Sequence, residues 1–376
     1  MIYNESVYNQ QWDTKKLSDL GIFERGKSKY RPRNDKRLFE GGGYPLVQTG
    51  EIKDANFYIT HHEQEYGEFG LKQSKLWDAE TLCITIAANI AETALLSYPM
   101  CFPDSVVGFR AYKNISSEKF MYYVFEYIRR SIQNSVTGSI QDNINIEYLT
   151  SLEFKIPTKK KQDNIVSLLS AIDEKILLNN KINDYLENQA LLIFSHMFHN
   201  ISYGSNHVGD YITPRRGKAL LSKDAIPGCV PVIAGGLVPA TYHNASNTVA
   251  PVLTISGSGA NAGYVNIWYD SVWSSDSSYI DSNMTANVYF WYAFLKSRQQ
   301  DIYDIQTGSA QPHIYPTYIA ELSIGEIDNA IVKSYTSQVT PLFEKIGANI
   351  REINKLKQLR NWLLPMLMNG QATIED

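Results

Sequence analysis

Gly21-Ile-Phe-Glu-Arg-Gly26-Lys27-Ser28 fits the GxxxxGK[ST] pattern, in which main-chain N–H groups cradle phosphates at a strand-to-helix turn. The residues that follow, SKYRPRND, are rich in turn formers and proline and predict no helix there. The acidic partner would be Asp173 in Leu168-Leu-Ser-Ala-Ile-Asp173, which lies on a helical pattern and not on a strand. A second version, Ile212-Thr-Pro-Arg-Arg-Gly217-Lys218-Ala219, lacks the first glycine and the hydroxyl. Nucleotide chemistry at Gly21–Ser28 is therefore rejected. His61-His62 is the only histidine pair, and neighbours on a strand point to opposite faces, so no shared metal is expected. The adenine-methyltransferase signatures Asn-Pro-Pro-Tyr and Asp-Pro-Pro-Tyr are absent, as is any carboxylate run like a nuclease core.

What remains is binding chemistry. From Glu24 to Arg37 the chain reads ERGKSKYRPRNDKR, a local excess of five positive charges in a protein whose net charge is -4. Such a run can neutralise phosphates even on an acidic protein, or it can be a solvated loop. A length of 376 residues implies two or more domains, and 44% hydrophobic content gives each a core. No run approaches eighteen apolar residues, and the N-terminus has no basic region followed by an apolar stretch, so neither a membrane span nor a secretory signal is expected. Cys83, Cys101 and Cys229 lack metal-ligand spacing and read as reduced thiols of a cytoplasmic protein.

The chain repeats itself. Thr137-Gly-Ser-Ile-Gln141 returns as Thr307-Gly-Ser-Ala-Gln311, an offset of 170 that holds without a gap through Glu174-Lys175-Ile176 and Glu344-Lys345-Ile346 to Leu186 and Leu356. Upstream, Arg25-Gly26-Lys27 resembles Arg216-Gly217-Lys218, Tyr44–Val47 resembles Val230–Ile233, and Leu82–Ile86 resembles Val252–Ile255, with loops of unequal length between them. Each half is thus a variable globular part followed by a constant helical part. The boundaries are read as 1–158, 159–204, 205–328 and 329–376.

The helical parts carry a coiled-coil spacing. In the first, expected over Gln162–Phe198, the seam is Ile165, Leu169, Ile172, Ile176, Asn179, Asn183, Leu186, Ala190 and Ile193. In the second it is Tyr335, Val339, Leu342, Ile346, Asn349, Ile353, Leu356, Arg360 and Leu363, with a kink or restart expected at Pro341. The two stripes are expected to pair with each other, and Asn179 and Asn349, equivalent by the repeat, to fix register. A 37-residue helix spans roughly 55 Å, long enough to separate two readers of DNA half-sites about 34–36 Å apart. The globular parts read as mixed and strand-rich, with strands at Leu82–Ile86, Val106–Tyr112, Val230–Ile233 and Val252–Ile255, and aromatic-rich helices at Lys119–Asn134 and Asn287–Gln300. Tight turns are expected at Gly41–Gly43, Gly235-Gly236 and Ser256–Gly259.

Two variable domains, each closed by TGSxQ, an apolar segment and a long helix, resemble the DNA specificity subunit of type I restriction-modification enzymes. Trp12–Leu17 resembles the opening of its first target-recognition domain, and Phe154-Lys-Ile-Pro157 with Gln162 resembles the entry to its first conserved helix. Asp173–Ile176 and Leu186-Glu187 resemble the body of that helix, while Ser323-Ile-Gly-Glu326 departs from the Ile-Pro entry in the second copy. The resemblance implies an α+β fold: two mixed α/β target-recognition domains in a pseudo-two-fold repeat, each followed by a long helix, the helices forming an antiparallel coiled coil. It implies a non-catalytic chain that reads a bipartite sequence in double-stranded DNA. Two modification subunits would methylate adenine with S-adenosylmethionine, and restriction subunits would translocate and cleave with ATP and Mg, so this chain itself would hold no cofactor or metal and contact no membrane.

Base reading needs forked donors and acceptors, and phosphate clamps need cations, hydroxyls and backbone N–H groups. The first half offers Lys27, Lys29, Arg31, Arg33, Arg37, Gln48, Thr49, Ser139 and Gln141; the second offers Arg215, Arg216, Lys218, Lys223, Ser258, Ser309 and Gln311. TGSxQ reads equally as a structural turn. The competing readings are a duplicated coiled-coil scaffold for other proteins and an enzyme, either a methyltransferase or nuclease of unfamiliar motif or, as the weakest alternative, an NTPase using the Gly21–Ser28 loop.

Overall fold

The computed structural model describes residues 2–374 apart from 88, 138–144, 200, 202 and 309–310; of 134–137 it describes the helical backbone alone. The chain divides into one compact unit of residues 1–177 with 353–376 and another of 178–352.

In the first unit the elements are β1 (Asp13–Lys16), β2 (Gly21–Arg25), β3 (Tyr44–Leu46), α1 (Thr49–Asp54), β4 (Tyr58–Ile59), β5 (Gln64–Tyr66), α2 (Glu68–Gln73) and β6 (Leu76–Trp77). They continue with β7 (Leu82–Thr85), β8 (Thr93–Leu96), β9 (Met100–Cys101), β10 (Val106–Ala111), α3 (Glu118–Thr137), α4 (Ile146–Ser151), β11 (Glu153–Ile156) and the start of α5 (Lys159–Met197). One sheet runs β2-β10-β7-β8-β4 and a second β5-β3-β9-β6, while β1 pairs with β11. Strands β7 and β8 are buried at every residue, because α3 covers one face with Phe120, Met121, Tyr123, Phe125 and Ile128, and Trp77 and Phe102 pack with Cys83 and Ala94 in a second cluster. That accounts for their continuous apolar sequence, where a half-exposed strand would alternate.

The second unit repeats this plan: β12 (Asn206–His207), β13 (Arg215–Arg216), β14 (Val230–Ile233), β15 (Thr241–His243), β16 (Val252–Ser256), β17 (Val265–Trp268), β18 (Trp273–Ser274) and β19 (Ser277–Asp281). Helices α6 (Val288–Ser297), α7 (Gln299–Asp304) and α8 (Pro316–Ala320), strand β20 (Ser323–Ile324) and most of α9 (Asn329–Met368) follow. Its sheets run β13-β19-β16-β17 and β15-β14-β18, with β12 paired to β20. The correspondence extends to register. Leu46 faces Gln64 in an antiparallel pair and Cys101 in a parallel one; Val232 faces Thr241 antiparallel and Trp273 parallel. The Ser323-Ile324 join, atypical in sequence, makes the same strand pair as Phe154–Ile156 in the first unit.

Each unit holds part of α5 against part of α9. In the first, Ile172 and Ile176 cluster with Ile353, Leu356 and Leu363, while Ile165 and Leu169 sit in the main core beside Phe154, Leu367 and Met368. In the second, Ala190, Phe194 and Phe198 pack with Tyr335, Val339, Phe343 and Ile346; Leu186, Ile193 and Leu342 lie at the margin. The buried positions drift here from Ile193 to Phe194 and from Leu342 to Phe343, as a straight helix of 3.6 residues per turn drifts off a 3.5 repeat. The expected break at Pro341 is a correction: α9 is continuous. The proline ring lies on the exposed side, and buried Tyr335, Val339 and Phe343 hold the helix on both sides of it.

Asn179 and Asn349 are both buried, and each amide donates across to the other helix. Asn349 Nδ2 donates to Asn183 Oδ1 (2.8 Å), and Asn179 Nδ2 to Glu352 Oε2 (2.8 Å). The two partners differ because the repeat places Ile353 where Asn183 stands. Together with the Tyr335 hydroxyl donating to the Ala190 carbonyl (3.2 Å), these contacts set the two helical segments of the second unit antiparallel.

Candidate nucleic-acid interface

The Arg-Gly-Lys triplets are built alike. Gly26 N–H donates to Val106 O (2.9 Å) and Lys27 N–H to Phe102 O (3.2 Å); Gly217 N–H donates to Ser277 O (2.8 Å) and Lys218 N–H to Ser274 O (3.0 Å). A Cβ on Gly26 would lie 2.3 Å from Pro103 O, and one on Gly217 2.5 Å from Ser275 O. The glycine lets backbone press on backbone at the sheet edge, while Arg25, Lys27, Arg216 and Lys218 stay exposed. Gly26→Ala is expected to cost about 1–3 kcal/mol through overpacking, measured by urea unfolding; an unchanged midpoint would refute the close approach. The segment is no phosphate cradle, since β2 leads into an irregular loop and then a 3-10 turn at Lys36–Leu38.

The basic run is less positive than its sequence suggests. Arg31 and Arg33 share Asp104 (3.5 and 2.5 Å), Lys27 lies 3.8 Å from Glu24, and Arg37 lies 2.7 Å from Asp35. Hydrogen bonds from Arg37 hold the Asp35 carboxyl down to about 2. Arg25, Lys29 and Lys36 have no carboxylate partner among the described residues. Arg33, Asn34, Lys36, Gln48 and Gln64 line a concavity of about 540 Å³, which an adjoining one of about 320 Å³ extends toward Ser28, Thr49 and Ser105. Thus Arg33, Gln48 and Thr49 come together, whereas Ser139 and Gln141 lie outside the described residues.

In the second unit Arg216 is ion-paired to Asp276 (2.6 Å), whose other oxygen accepts from the Ser258 hydroxyl, and its guanidinium lies 6.0 Å from the Tyr315 ring centroid. Thr307 and His313 exchange both backbone hydrogen bonds (3.1 and 2.8 Å), and Gly308 takes φ +94° between them. Thr307 and His313 therefore lie side by side, and His313 also bridges to Ser258. Gln311 is exposed close to His313, Ser309 lies outside the described residues, and Arg215 and Lys218 are exposed near the same edge. Lys223 sits apart on the 3-10 turn Ser222–Asp224.

Asp104, Asp276, Gln64 and Tyr315 belong to these surfaces and were missed in the sequence. Asp104, Asp276 and Gln64 reach the site through a strand or turn remote in the chain, so local spacing holds no sign of them, while Tyr315 follows Gln311 by four residues and carried only the ambiguous signal of an aromatic side chain. Among the described residues no group of three or more His, Cys, Asp and Glu could hold a metal, and no helix is long and apolar enough to cross a membrane. His62 is bound instead by the Tyr98 hydroxyl (2.6 Å) and Glu65 (3.0 Å).

Fold and surfaces define a class: a duplicated recognition protein, with the same strand plan used twice and polar, cation-bearing sheet edges in both copies. Residues 9–188 match the family described as type I restriction modification DNA specificity domain. The type I restriction enzyme MjaIX specificity subunit of Methanocaldococcus jannaschii is 23% identical over 417 aligned positions, covering 98% of this chain and 95% of that one. A putative type I restriction enzyme MjaX specificity subunit of the same organism is 24% identical over 176 positions, covering 45% of this chain and 40% of that one. The crystal structure of a type-I restriction-modification system S subunit from M. genitalium shares the fold, with TM-score 0.61 and 18% identity over 98% of this chain and 99% of that one. Residues 9–188 thus carry the type I restriction modification DNA specificity domain, and the chain is a specificity subunit, which recognises the DNA target and is itself non-catalytic.

Proposed function

We propose that this chain reads a bipartite, asymmetric sequence in double-stranded DNA, one half with residues 1–158 and the other with 205–328. The observation that carries the reading is the repeated strand plan with unlike side chains on it: Arg33, Gln48 and Gln64 on one copy, Arg216, Ser258 and Tyr315 on the other. The helical parts 159–204 and 329–376 act as an antiparallel coiled-coil spacer that sets the unspecified gap between the halves. Two modification subunits assemble on it and methylate adenine with S-adenosylmethionine, and restriction subunits supply ATP- and Mg-dependent translocation and cleavage in the cytoplasm. The chain's own cations and hydroxyls clamp phosphates, and its amides and guanidinium groups read base edges.

The test is co-expression with the cognate modification subunit, followed by mapping of methylated adenines in the host DNA. The expected result is one split motif with a fixed gap, of which exchange of residues 205–328 for those of a related chain alters one half. Assembly without any split motif would overturn the reading and favour a protein scaffold.

A further inference from the structure

Gln48 and Gln64 stand on neighbouring segments of the first unit, and three bonds fix them. Gln48 Nε2 donates to Gln64 Oε1 (2.7 Å). The Glu51 carboxylate accepts from Gln48 N–H on one oxygen (2.7 Å) and from Glu63 N–H on the other (3.2 Å), so one side chain staples both glutamine-bearing segments. Both glutamines are exposed and line the concavity beside Arg33. After the bond to Gln64, the Gln48 amide still presents one acceptor, its oxygen, and one donor, its second N–H.

We propose that this stapled pair is a base-reading fork for an adenine in the half-site of the first unit, with Gln48 as the reader and Gln64 and Glu51 as positioning residues. The proposal rests on the DNA-reading function above. In the major groove adenine offers the N6 amino donor beside the N7 acceptor, the complement of one amide oxygen and one amide N–H. Guanine offers two acceptors, N7 and O6, and would set O6 against the Gln48 oxygen. Arg33, on the wall of the same concavity, supplies donors alone and suits a guanine or a phosphate. The second unit lacks the device. By the shared register its counterparts are Ala234 and Thr241, and no helix follows β14 to supply a counterpart of Glu51. The two halves of the target are therefore read by different side chains on one strand plan.

The experiment uses the complex with its modification subunits and a duplex carrying the mapped split motif. Each adenine of the half unaffected by exchange of 205–328 is replaced in turn by 7-deazaadenine, which lacks the N7 acceptor. One position is expected to weaken wild-type binding about tenfold, half or more of what a bidentate pair contributes. Gln48→Ala should bind the unmodified duplex about tenfold more weakly or worse, with no further loss on that 7-deaza duplex, and Gln64→Ala should fall between. Both side chains are exposed, so melting should stay at the wild-type value. Gln48→Glu, which keeps the size but replaces the donor by an acceptor, is expected to lose at the same position and serves if the alanine variant assembles poorly. Wild-type binding indifferent to every 7-deazaadenine, or a penalty that persists in full in Gln48→Ala or Gln48→Glu, would overturn the fork and leave the split-motif function standing. Absence of any split motif with wild type would overturn both.

Discussion

Arg360→Ala is expected to destabilise the first unit by about 3–5 kcal/mol, because it strips a buried carboxylate of its counter-charge. The Asp173 side chain is 1% exposed and accepts from Arg360 Nη1 at 2.6 Å and from the Tyr123 hydroxyl at 2.7 Å. Burial raises the Asp173 pKa even against the pull of Arg360. Without the arginine the folded chain must hold a charge in an apolar surround or take up a proton there. The folded state then binds that proton more tightly than the unfolded chain, whose carboxyl keeps a value of about 3.9. Protonation favours the folded state, so the deficit is smallest below about pH 4 and grows as pH rises through the raised folded-state value. Urea titrations of wild type and variant at several pH values measure this; a deficit below about 1 kcal/mol, or one that does not grow with pH, would refute it. The companion Asp173→Leu with Arg360→Met and Tyr123→Phe removes all three polar groups together and is expected to recover most of the loss.

The repeat explains why that pair can be dispensed with as a set. An offset of 170 places Phe343 at the slot of Asp173 and Ala190 at the slot of Arg360. One unit fills the two slots with an ion pair and the other with an aromatic ring and a methyl group, both buried in one apolar cluster. Arg360 was visible in the sequence as a charged residue on an apolar seam, but its reason was not: Asp173 sits beside Ile172, off the heptad, and Tyr123 comes from α3. The long helices and the duplication were legible because both are periodic, one at 3.5–3.6 residues and the other at 170. Where the local period changes, as from Ile193 to Phe194, the heptad reading fails. The strands at Leu82, Val106, Val230 and Val252 were legible as β-branched and apolar runs. Their order was not, since β2 finds β10 across most of the domain and several strands are only two residues long. The same non-locality hid the interface. Nothing in ERGKSKYRPRNDKR announces that Asp104 will offset Arg31 and Arg33, and nothing near Gln48 announces Gln64.

Phe343→Ala is the counterpart test in the second unit, and its expected cost is also about 3–5 kcal/mol. The ring is fully buried, stacks on Tyr289 with centroids 4.4 Å apart, and meets Tyr292 edge-on at 5.9 Å. It thus ties α9 to α6, the helix that backs the sheet β13-β19-β16-β17. Truncation leaves a hole between rings that cannot close, since Tyr292 is also anchored through its hydroxyl to Glu187 on α5. The loss should appear as faster amide exchange in 288–297 and 329–352, with the first unit's exchange unchanged. Because α6 carries the sheet whose edge bears Arg216, methylation of the half-motif assigned to 205–328 should fall before the other half changes. Uniform loss across both units and both half-motifs would mean that the helices melt as one cooperative element and that the slot at 343 has no local role.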